Sequence, residues 1–349
     1  MKKKIYSLAL ASAMMLSLCA CGGTSDSTQK GASSDKDTYK VGIIQYVDDA
    51  SLNQIEENIE KELDAKGKEL GVTFDYADYT YNGQADATTL NQIVAELIDS
   101  EVDIIIPIAT PTAQIVQSAT EDNQIPVVFS AVSDPVGAKL VESMDEPGAN
   151  ITGTSDALNT NTIMELILAA NPDTDYVGLL YSKSEDASTQ AIADAKAFLD
   201  DKNIKYIEKT GTTVDEVSSA ADALVAEGVD AVFTPTDNTI MTAELAIYEK
   251  FTEAKIPHYA GADSFALNGA FLGYGVDYAN LGVETADMAA DILTGKAEPA
   301  TTAVKTFDNG LATINTETCE ALGLDFDKIK EAFAEYCTEV KEIVTSKEF

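Results

Sequence analysis

Residues 97–117 read LIDSEVDIIIPIATPTAQIVQ, and residues 224–244 read LVAEGVDAVFTPTDNTIMTAE. Each stretch contains the end of a helix, an acidic turn, a Val-Asp pair, an apolar strand, a loop rich in Thr and Pro, and the start of another helix. Each then runs to an Ile-Pro pair, at Ile125 and Ile256, that opens a further strand. A whole unit repeated in the same order predicts two similar lobes.

Strands and amphipathic helices alternate on both sides of the repeated unit. Uninterrupted apolar runs at residues 41–45, 103–109 and 126–132 are typical of parallel strands covered on both faces. Residues 72–79 alternate as a further strand in the first half. After Gly153 the pattern restarts, and strands are expected at residues 176–181, 205–209, 230–234 and 257–261. We therefore predict an α/β protein with two similar doubly wound lobes, joined by a hinge, with a ligand cleft between them.

The order of these elements also predicts the domain boundaries. Lobe 1 comprises residues 39–153 and about 277–298, and lobe 2 comprises residues 154–276 and about 299–323. Residues 324–349 are expected to form a C-terminal helix. The chain crosses between the lobes near residues 153–155 and 273–276.

The N-terminus carries an export and lipidation signal. Three lysines precede an apolar run at residues 5–18, which is too short for a membrane-spanning helix and indicates a signal peptide over residues 1–20. The run ends in LCACGG at residues 18–23, which resembles the bacterial lipobox, and this resemblance implies a lipid on Cys21. An ordinary signal peptide that happens to contain cysteines is the alternative. Residues 21–38, rich in Ser, Gly, Asp and Lys, are expected to be a flexible tether.

Composition excludes several classes of function. The 23 basic residues are all lysine, and 59 acidic residues give a net charge of −36, which repels nucleic acid and anionic lipid. A Ser–His–acid catalytic site would need His258, the one histidine, which lies in an apolar run typical of a buried strand. Zinc sites built on His and Cys clusters are excluded by number, and no glycine-rich nucleotide motif occurs. We expect no enzymatic activity, no metal and no cofactor.

Cysteine usage leaves one question open. The lipobox resemblance implies that Cys19 leaves with the signal peptide and that Cys21 carries the lipid, so Cys319 and Cys337 would remain in the folded part. Outside the cell these two could form a disulfide, and burial of Cys319 in a helix is an equal alternative.

The loops at the carboxyl ends of the strands supply the candidate ligand site, because open α/β sheets bind ligands there. Thr110 is predicted to cap a helix whose first residue is Pro111. The free amides of that helix start suit a carboxylate, to which the Thr112 hydroxyl can also donate. With no arginine in the chain, a guanidinium clamp is excluded. From the other lobe, Asp237 and Asp263 are placed to receive an ammonium group, so the predicted ligand is an α-amino acid.

Two tyrosines and four polar residues complete the candidate site. Tyr46 and Tyr181 are expected to be flat walls that stack on an aromatic side chain. The polar members are Gln45, Ser130, Ser133 and Asn238.

Each candidate has a purely structural alternative. Thr110, Asn238 and Asp263 could only cap their helices. The two tyrosines could lie at the edge of the core, and Gln45 could satisfy backbone groups.

Six loop stretches resemble a known family. They are VGIIQYVDDASL (41–52), IATPTAQ (108–114), FSAVSDPVG (129–137), TGTSD (152–156), PTDNTI (235–240) and LGYGVDYANLG (272–282). In this order they are similar to the aromatic-amino-acid type of ABC-transporter substrate-binding lipoproteins, the tryptophan- or tyrosine-binding group with a type I periplasmic-binding-protein fold. The resemblance covers residues 40–323. Members often carry a histidine where Asp49 stands here, a departure that bears on ligand choice.

The resemblance implies a receptor that closes on an amino acid, with an aromatic one favoured. Its partners would be an ABC permease with its ATPase, and it is expected to act as a monomer anchored by its lipid to the outer face of the cytoplasmic membrane. Two alternatives remain. One is a surface sensor or adhesin lipoprotein that uses the same fold, and the other is a receptor for a small solute that is not an amino acid.

Overall fold

Parallel strands alternate with helices along the chain. The computed structural model describes residues 36–307 and 309–346. The predicted signal peptide, the lipidation site at Cys21 and the tether before residue 36 lie outside the described residues. Within the described ranges, no helix is both long enough and apolar enough to cross a bilayer.

Lobe 1 is built on a six-stranded, fully parallel sheet. Its strands are β1 (Thr38–Gln45), β2 (Thr73–Asp75), β3 (Thr80–Asn82), β4 (Ile104–Ile108), β5 (Val127–Phe129) and β6 (Ile151–Gly153). They lie in the order β2-β1-β4-β5-β6, and β3 also pairs with β1. The helices between them are α1 (Ala50–Leu70), α2 (Ala87–Asp99) and α3 (Thr110–Thr120).

Lobe 2 is built on a seven-stranded sheet in the order β13-β12-β11-β10-β9-β7-β8, in which only β11 and β12 are antiparallel. The strands are β7 (Tyr176–Tyr181), β8 (Lys205–Thr210), β9 (Ala231–Thr234), β10 (His258–Ala260), β11 (Leu272–Gly275), β12 (Leu311–Asn315) and β13 (Glu339–Ile343). The helices are α4 (Thr160–Ala170), α5 (Ala187–Lys202), α6 (Val214–Glu227), α7 (Asn238–Glu253), α8 (Asp263–Leu267), α10 (Thr316–Leu322) and α11 (Phe326–Phe333). A further helix, α9 (Tyr278–Leu293), returns to lobe 1 and packs along α1.

Buried apolar strands explain why the chain folds in this way. Every residue of β4 (IIIPI) is buried, as expected for a central parallel strand covered by helices on both faces. The amphipathic helix α2 buries one apolar face and begins where Asp86 accepts a hydrogen bond from the Thr89 amide at 2.7 Å. The predicted α/β fold with two doubly wound lobes is confirmed.

The segments that connect the lobes run close together. One follows β6, another joins β11 to α9, and a third precedes β12. The first and third are hydrogen-bonded side by side, because the Lys305 amide donates to the Gly153 carbonyl and the Ser155 amide donates to the Lys305 carbonyl. These two hydrogen-bonded segments therefore form a hinge between the lobes.

Three predicted boundaries are wrong. The strand expected at residues 72–79 is limited to β2 (Thr73–Asp75), because the chain then turns, with the Tyr79 amide bonded to the Tyr76 carbonyl, and β3 begins only at Thr80. The chain does not enter lobe 2 at residue 299, because Val304 is buried with the core of lobe 1 and its amide bonds Met144.

The third error concerns residues 324–349, which were expected to form one helix. They contain the short helix α11 and then β13, which extends the lobe 2 sheet beside β12. Cys319 and Cys337 are free thiols in this structure, and Cys319 is buried.

Candidate ligand-binding site

A small cavity of about 30 Å³ lies between the lobes, at the carboxyl ends of strands from both sheets. Lobe 1 lines it with residues that follow β1, β4 and β5, and lobe 2 lines it with residues that follow β9 and β10. A second cavity of about 360 Å³ lies beside it and shares Ser133, Ala187 and Thr236 with it. This is the crevice in which open α/β sheets bind ligands.

The lobe 1 wall is formed by two strained backbone turns and a helix start. Ala109 and Ala131 both line the cavity and have φ angles of 77° and 54°, in the region that non-glycine residues rarely adopt. Ala109 immediately precedes α3 and makes no side-chain cap hydrogen bond. Among the described residues, no cap side chain therefore accepts from the amides of the first turn of α3, and these amides suit a negatively charged group.

Asp156, in the connection that follows β6, presents a buried carboxylate to the cavity. One of its oxygens accepts a hydrogen bond from Ser133 Oγ at 2.9 Å, and the other lies 3.4 Å from the Tyr278 hydroxyl. Burial raises the pKa of the Asp156 carboxyl to about 6. Tyr278 also lines the cavity, and burial raises the pKa of its hydroxyl well above the ordinary value.

Asp49 is a second cavity carboxylate in lobe 1. It caps α1, accepting hydrogen bonds from the amides of Ser51 at 3.0 Å and Leu52 at 3.3 Å. Burial raises the pKa of the Asp49 carboxyl to about 6.

Asp237 is the cavity carboxylate of lobe 2, and its oxygens are fully engaged. Oδ1 caps α7 by accepting from the Ile240 amide at 3.0 Å. Oδ2 accepts from the Ser182 amide and from Ser188 Oγ, both at 2.7 Å. Asp237 therefore holds three parts of lobe 2 together, and it has less capacity for a ligand than Asp156.

Glu185 lies next to Asp237 and is also buried. Its carboxyl accepts hydrogen bonds from Asn238 Nδ2 at 3.3 Å and from Thr239 Oγ1 at 3.4 Å. Burial, followed by the negative charge of Asp237, raises the pKa of the Glu185 carboxyl to about 8. Burial likewise raises the pKa of Asp237. Two like charges this close and this poorly hydrated are expected to share a proton.

The apolar wall of the cavity comes from both lobes and consists of Leu52, Met241, Ala262 and Phe265. Phe265 packs edge-on against the His258 ring, with centroids 6.1 Å apart and planes at 83°. His258 is itself buried. Its Nδ1 lies 3.0 Å from Glu244 Oε1, and its Nε2 lies 2.8 Å from Thr234 Oγ1. His258 is thus held by two hydrogen bonds and packs against the face of the cavity wall formed by Phe265.

Direct hydrogen bonds join the lobes around the cavity. Ser51 Oγ donates to Asp263 Oδ1 at 2.6 Å and accepts from the Ser264 amide at 3.2 Å. On the other side, Gln114 Nε2 donates to Asp186 Oδ2 at 2.7 Å. The cleft is closed in this structure.

Comparison with known protein families matches residues 40–341 to the ABC transporter substrate binding proteins. The chain belongs to this family. The tyrosine-binding protein of Clostridioides difficile (strain R20291) is 32% identical to it over 337 residues, which cover 94% of this chain and 95% of the relative. The resemblance carried by the six loop stretches is confirmed.

Two solved structures of similar proteins differ in how well they match this substrate-binding protein. The ABC domain from Streptococcus pneumonia in complex with L-Trp has a TM-score of 0.78 at 31% identity, covering 87% of this chain and 99% of that chain. The ligand-free, open structure of a substrate binding protein with adhesive properties from Clostridium difficile has a TM-score of 0.66 at 29% identity, covering 88% and 100%. The better match to the ligand-bound structure agrees with the closed lobes seen here.

The structure brings four of the predicted site residues of this substrate-binding protein to the cavity. They are Thr110, Ser133, Asp237 and Asn238. Two of the helix starts differ from the prediction by one residue, because α3 begins at Thr110 after Ala109, and α7 begins at Asn238 after the capping Asp237.

The other predicted site residues do not line the small cavity. Gln45 hydrogen-bonds to Asn53 and Asn82. The Ser130 hydroxyl is buried against Thr285 at 2.9 Å. Thr112 is buried, and among the described residues its hydroxyl has no partner.

One alternative was that Asp263 only caps α8, and this alternative is wrong. It is the first residue of that helix, follows the N-cap Ala262, and bonds Ser51 of lobe 1.

The two tyrosines that were expected to form aromatic walls, Tyr46 and Tyr181, do not line the small cavity either. The Tyr181 hydroxyl donates to Glu208 on β8 at 2.7 Å. Tyr46 is half-buried outside the cavity lining, and burial, then the charges of Glu185 and Asp237, raises the pKa of its hydroxyl to about 12. Phe265 and Met241 form the wall instead.

Sequence reasoning did not select Asp156, Tyr278, Met241 or Phe265 as site residues. Asp156 and Tyr278 lie inside the family stretches 152–156 and 272–282, so the signal was present. Met241 and Phe265 reach the cavity from the first turns of α7 and α8, whose exact starts decide which face is presented.

The acidic residues of the cleft do not form a metal site. Within residues 36–307 and 309–346, no group of three His, Cys, Asp or Glu side chains is placed to hold a metal ion. The carboxylates are instead distributed around the cavity, with Asp49 and Asp156 on one side and Asp237 on the other.

Proposed function

We propose that this protein binds an aromatic α-amino acid between its lobes and delivers it, as a monomer and without a catalytic step, to the permease and ATPase of an ABC importer. The observation that carries the proposal is the pairing of the α3 helix start with the buried Asp156 carboxylate across one small cavity. A helix start attracts a carboxylate and a carboxylate attracts an ammonium group, so an α-amino acid satisfies both.

Asp156, rather than Asp237, is proposed to hold the ligand ammonium. Asp237 already accepts three hydrogen bonds that fold lobe 2. Asp156 accepts one short bond and one long one, and it faces the cavity from the connection between the lobes. The aromatic side chain would lie against Phe265, Met241 and Leu52.

The aromatic preference is supported by the apolar wall and by the relatives, one named for tyrosine and one solved with L-Trp. A cavity of about 30 Å³ has room for only two or three water molecules, since each needs roughly 10–15 Å³ of such volume, and it is too small for an amino acid. The lobes must therefore separate to admit the ligand, with bending at the paired segments near Gly153 and Lys305. Small-angle scattering that detected no change in radius of gyration at saturation would contradict this closure.

Calorimetric titration with three related compounds tests the ligand class. L-Tyrosine carries both charged groups, tyramine lacks the carboxylate, and 3-(4-hydroxyphenyl)propanoate lacks the ammonium. We expect each truncated compound to bind at least about tenfold more weakly, because a charge-assisted contact worth on the order of 2–5 kcal/mol is lost. A sugar that binds where amino acids do not would overturn the ligand class.

Substitution of Asp156 tests the assignment of the ammonium group. Asp156→Asn should weaken L-tyrosine binding at least about tenfold. It should leave the affinity for 3-(4-hydroxyphenyl)propanoate nearly unchanged, because that compound has no ammonium. Asp145→Asn, at an exposed site, is the matched control. Unaltered binding of L-tyrosine by Asp156→Asn would remove this residue from the site.

The anchor is proposed to be a lipid on Cys21, which places the receptor at the outer face of the cytoplasmic membrane. Cys21→Ala should release the protein into the medium or stall it as uncleaved precursor. A normally processed, membrane-bound variant would contradict the lipid anchor.

A further inference from the structure

Glu185 and Asp237 form a pair of buried carboxyls at the edge of the closed cleft, and the proposed contacts of the ligand do not use Glu185. Their exposed fractions are 4% and 1%. Both belong to lobe 2, where Glu185 accepts hydrogen bonds from the two residues that follow Asp237. The pair is therefore held together by lobe 2 alone, whether the cleft is open or closed.

Lobe 1 covers this pair when the cleft is closed. Asp186, next to Glu185, is hydrogen-bonded to Gln114 of α3 at 2.7 Å. Tyr46, which follows β1, lies close enough for the charges of Glu185 and Asp237 to act on its hydroxyl. Separation of the lobes would take Gln114 and Tyr46 away from the pair and is expected to admit water to Glu185.

The charged groups that act on Glu185 in the closed state are acidic. Asp237 faces it from the start of α7, and Asp186 lies on its own segment. Asn238 and Thr239 contribute neutral donors, and Tyr46 faces the pair from lobe 1 together with Asp86 behind it. Within the described part of the chain, closure therefore buries two carboxyls on which no cation is seen to act, which favours one proton between them.

We infer that closure of this cleft takes up a proton, which the Glu185–Asp237 pair holds until the lobes separate again. The inference rests on the proposed function, because it concerns regulation of the same cleft. The uptake makes closure, and with it ligand retention, stronger in acid than in alkali.

The direction of the pH dependence follows from the raised pKa. Burial, followed by the charge of Asp237, raises the pKa of the Glu185 carboxyl from its ordinary 4.5 to about 8, and hydration in the open cleft is expected to lower it toward the ordinary value. The contribution to closure is fully present below the lower pKa and is lost as pH rises through the upper one. Affinity should therefore fall by up to about tenfold per pH unit toward pH 8 and then level off. Above pH 6.5 the contribution of Asp49 and Asp156, whose pKa is raised to about 6, diminishes, and the Glu185→Gln variant separates it from that of the pair.

Calorimetry measures the proton directly. Titration of L-tyrosine at pH 7.5 in buffers of different ionisation enthalpy should show uptake of up to one proton per ligand by the wild-type protein. Glu185→Gln, a neutral isostere of the protonated acid, should show close to none and a flat affinity between pH 6.5 and 8.5. Glu253→Gln, at an exposed position on α7, is the matched control. Wild-type uptake retained in Glu185→Gln, or no uptake by the wild type, would overturn the inference.

A ligand-free measurement separates this inference from the proposed function. Ser51→Cys with Asp263→Cys places two thiols where the lobes touch, so the rate of joining them with a short crosslinker reports the closed fraction. The crosslinking rate is measured with Glu185 present and with Glu185→Gln. The rate with Glu185→Gln divided by the rate with Glu185 should rise severalfold from pH 6.5 to 8.5, because only the protein with Glu185 loses closure as pH rises. A constant ratio would overturn proton-linked closure. A rising ratio without L-tyrosine binding would leave the inference standing and contradict the ligand.

Discussion

The two helix starts of the repeated unit, α3 in lobe 1 and α7 in lobe 2, face the same cavity with opposite properties. When the two stretches are superposed by sequence, Thr110 corresponds to Asp237. In lobe 1 the residue before the helix is Ala109, which makes no side-chain cap bond, so the helix amides remain available. In lobe 2, Asp237 caps its own helix and adds a negative charge.

This difference between the two helix starts makes the cleft electrostatically asymmetric. A negative group of a ligand is attracted to the uncapped helix start in lobe 1 and repelled by the capped, acidic start in lobe 2. The two copies of the repeated unit therefore present unlike faces, and Thr110 in lobe 1 stands where Asp237 stands in lobe 2. A zwitterion bound between them would have one preferred orientation.

Placing the lobe 2 residue in lobe 1 should produce the largest effect. Thr110→Asp introduces a carboxylate where the ligand carboxylate is proposed to bind. We expect L-tyrosine to bind about 100-fold more weakly, which corresponds to about 2.8 kcal/mol. Thr110→Asn, equal in size and neutral, should lose much less. Calorimetric titration of both variants is the measurement, and equal losses would show that charge at this helix start does not matter.

The reverse exchange should act on stability. Asp237→Thr removes the acceptor for the Ser182 amide and Ser188 hydroxyl and weakens the cap of α7. We expect the free energy of unfolding to fall by at least about 2 kcal/mol, from a weakened cap and two buried donors left unpaired. Thr110→Ala in lobe 1 should cost less than about 1 kcal/mol, because no cap bond is lost there. Urea denaturation of the two variants decides whether the helix starts differ as described.

The smallest effect is expected at the backbone of lobe 1. Ala109 has φ 77° and ψ 153°, a conformation that only glycine adopts without strain. Ala109→Gly should therefore raise the free energy of unfolding by about 1 kcal/mol, whereas Ala113→Gly, inside α3, should lower it by about 1 kcal/mol. Thermal or urea unfolding measures both. A loss of stability in Ala109→Gly would indicate that its neighbours do not impose this conformation.

The fold was predictable because local patterns and lobe architecture agree. The apolar runs at β4 and β9 and the repeated Val-Asp and Ile-Pro signals specify parallel strands and their order. The C-terminal helix was wrong because β13 depends on a partner, β12, and its alternating polar sequence EVKEI is stable as a strand only at that sheet edge.

The candidate site was predictable only in part. Loops at strand ends could be chosen from sequence, and four of the chosen residues line the cavity. A one-residue change in a helix start cannot be read from sequence, yet it decides that Asp237 is a cap. The position of Phe265 depends on how the lobes close and on the packing of α8, which are long-range properties.

The single imidazole of this chain would act as a natural spectroscopic label. His258 is clamped between Glu244 and Thr234, and its ring touches Phe265, which forms part of the cavity wall. Ring currents from a displaced phenylalanine change the magnetic environment of the imidazole protons. One resolved set of histidine resonances in a chain of 349 residues would therefore report movements of the cleft wall without any introduced probe.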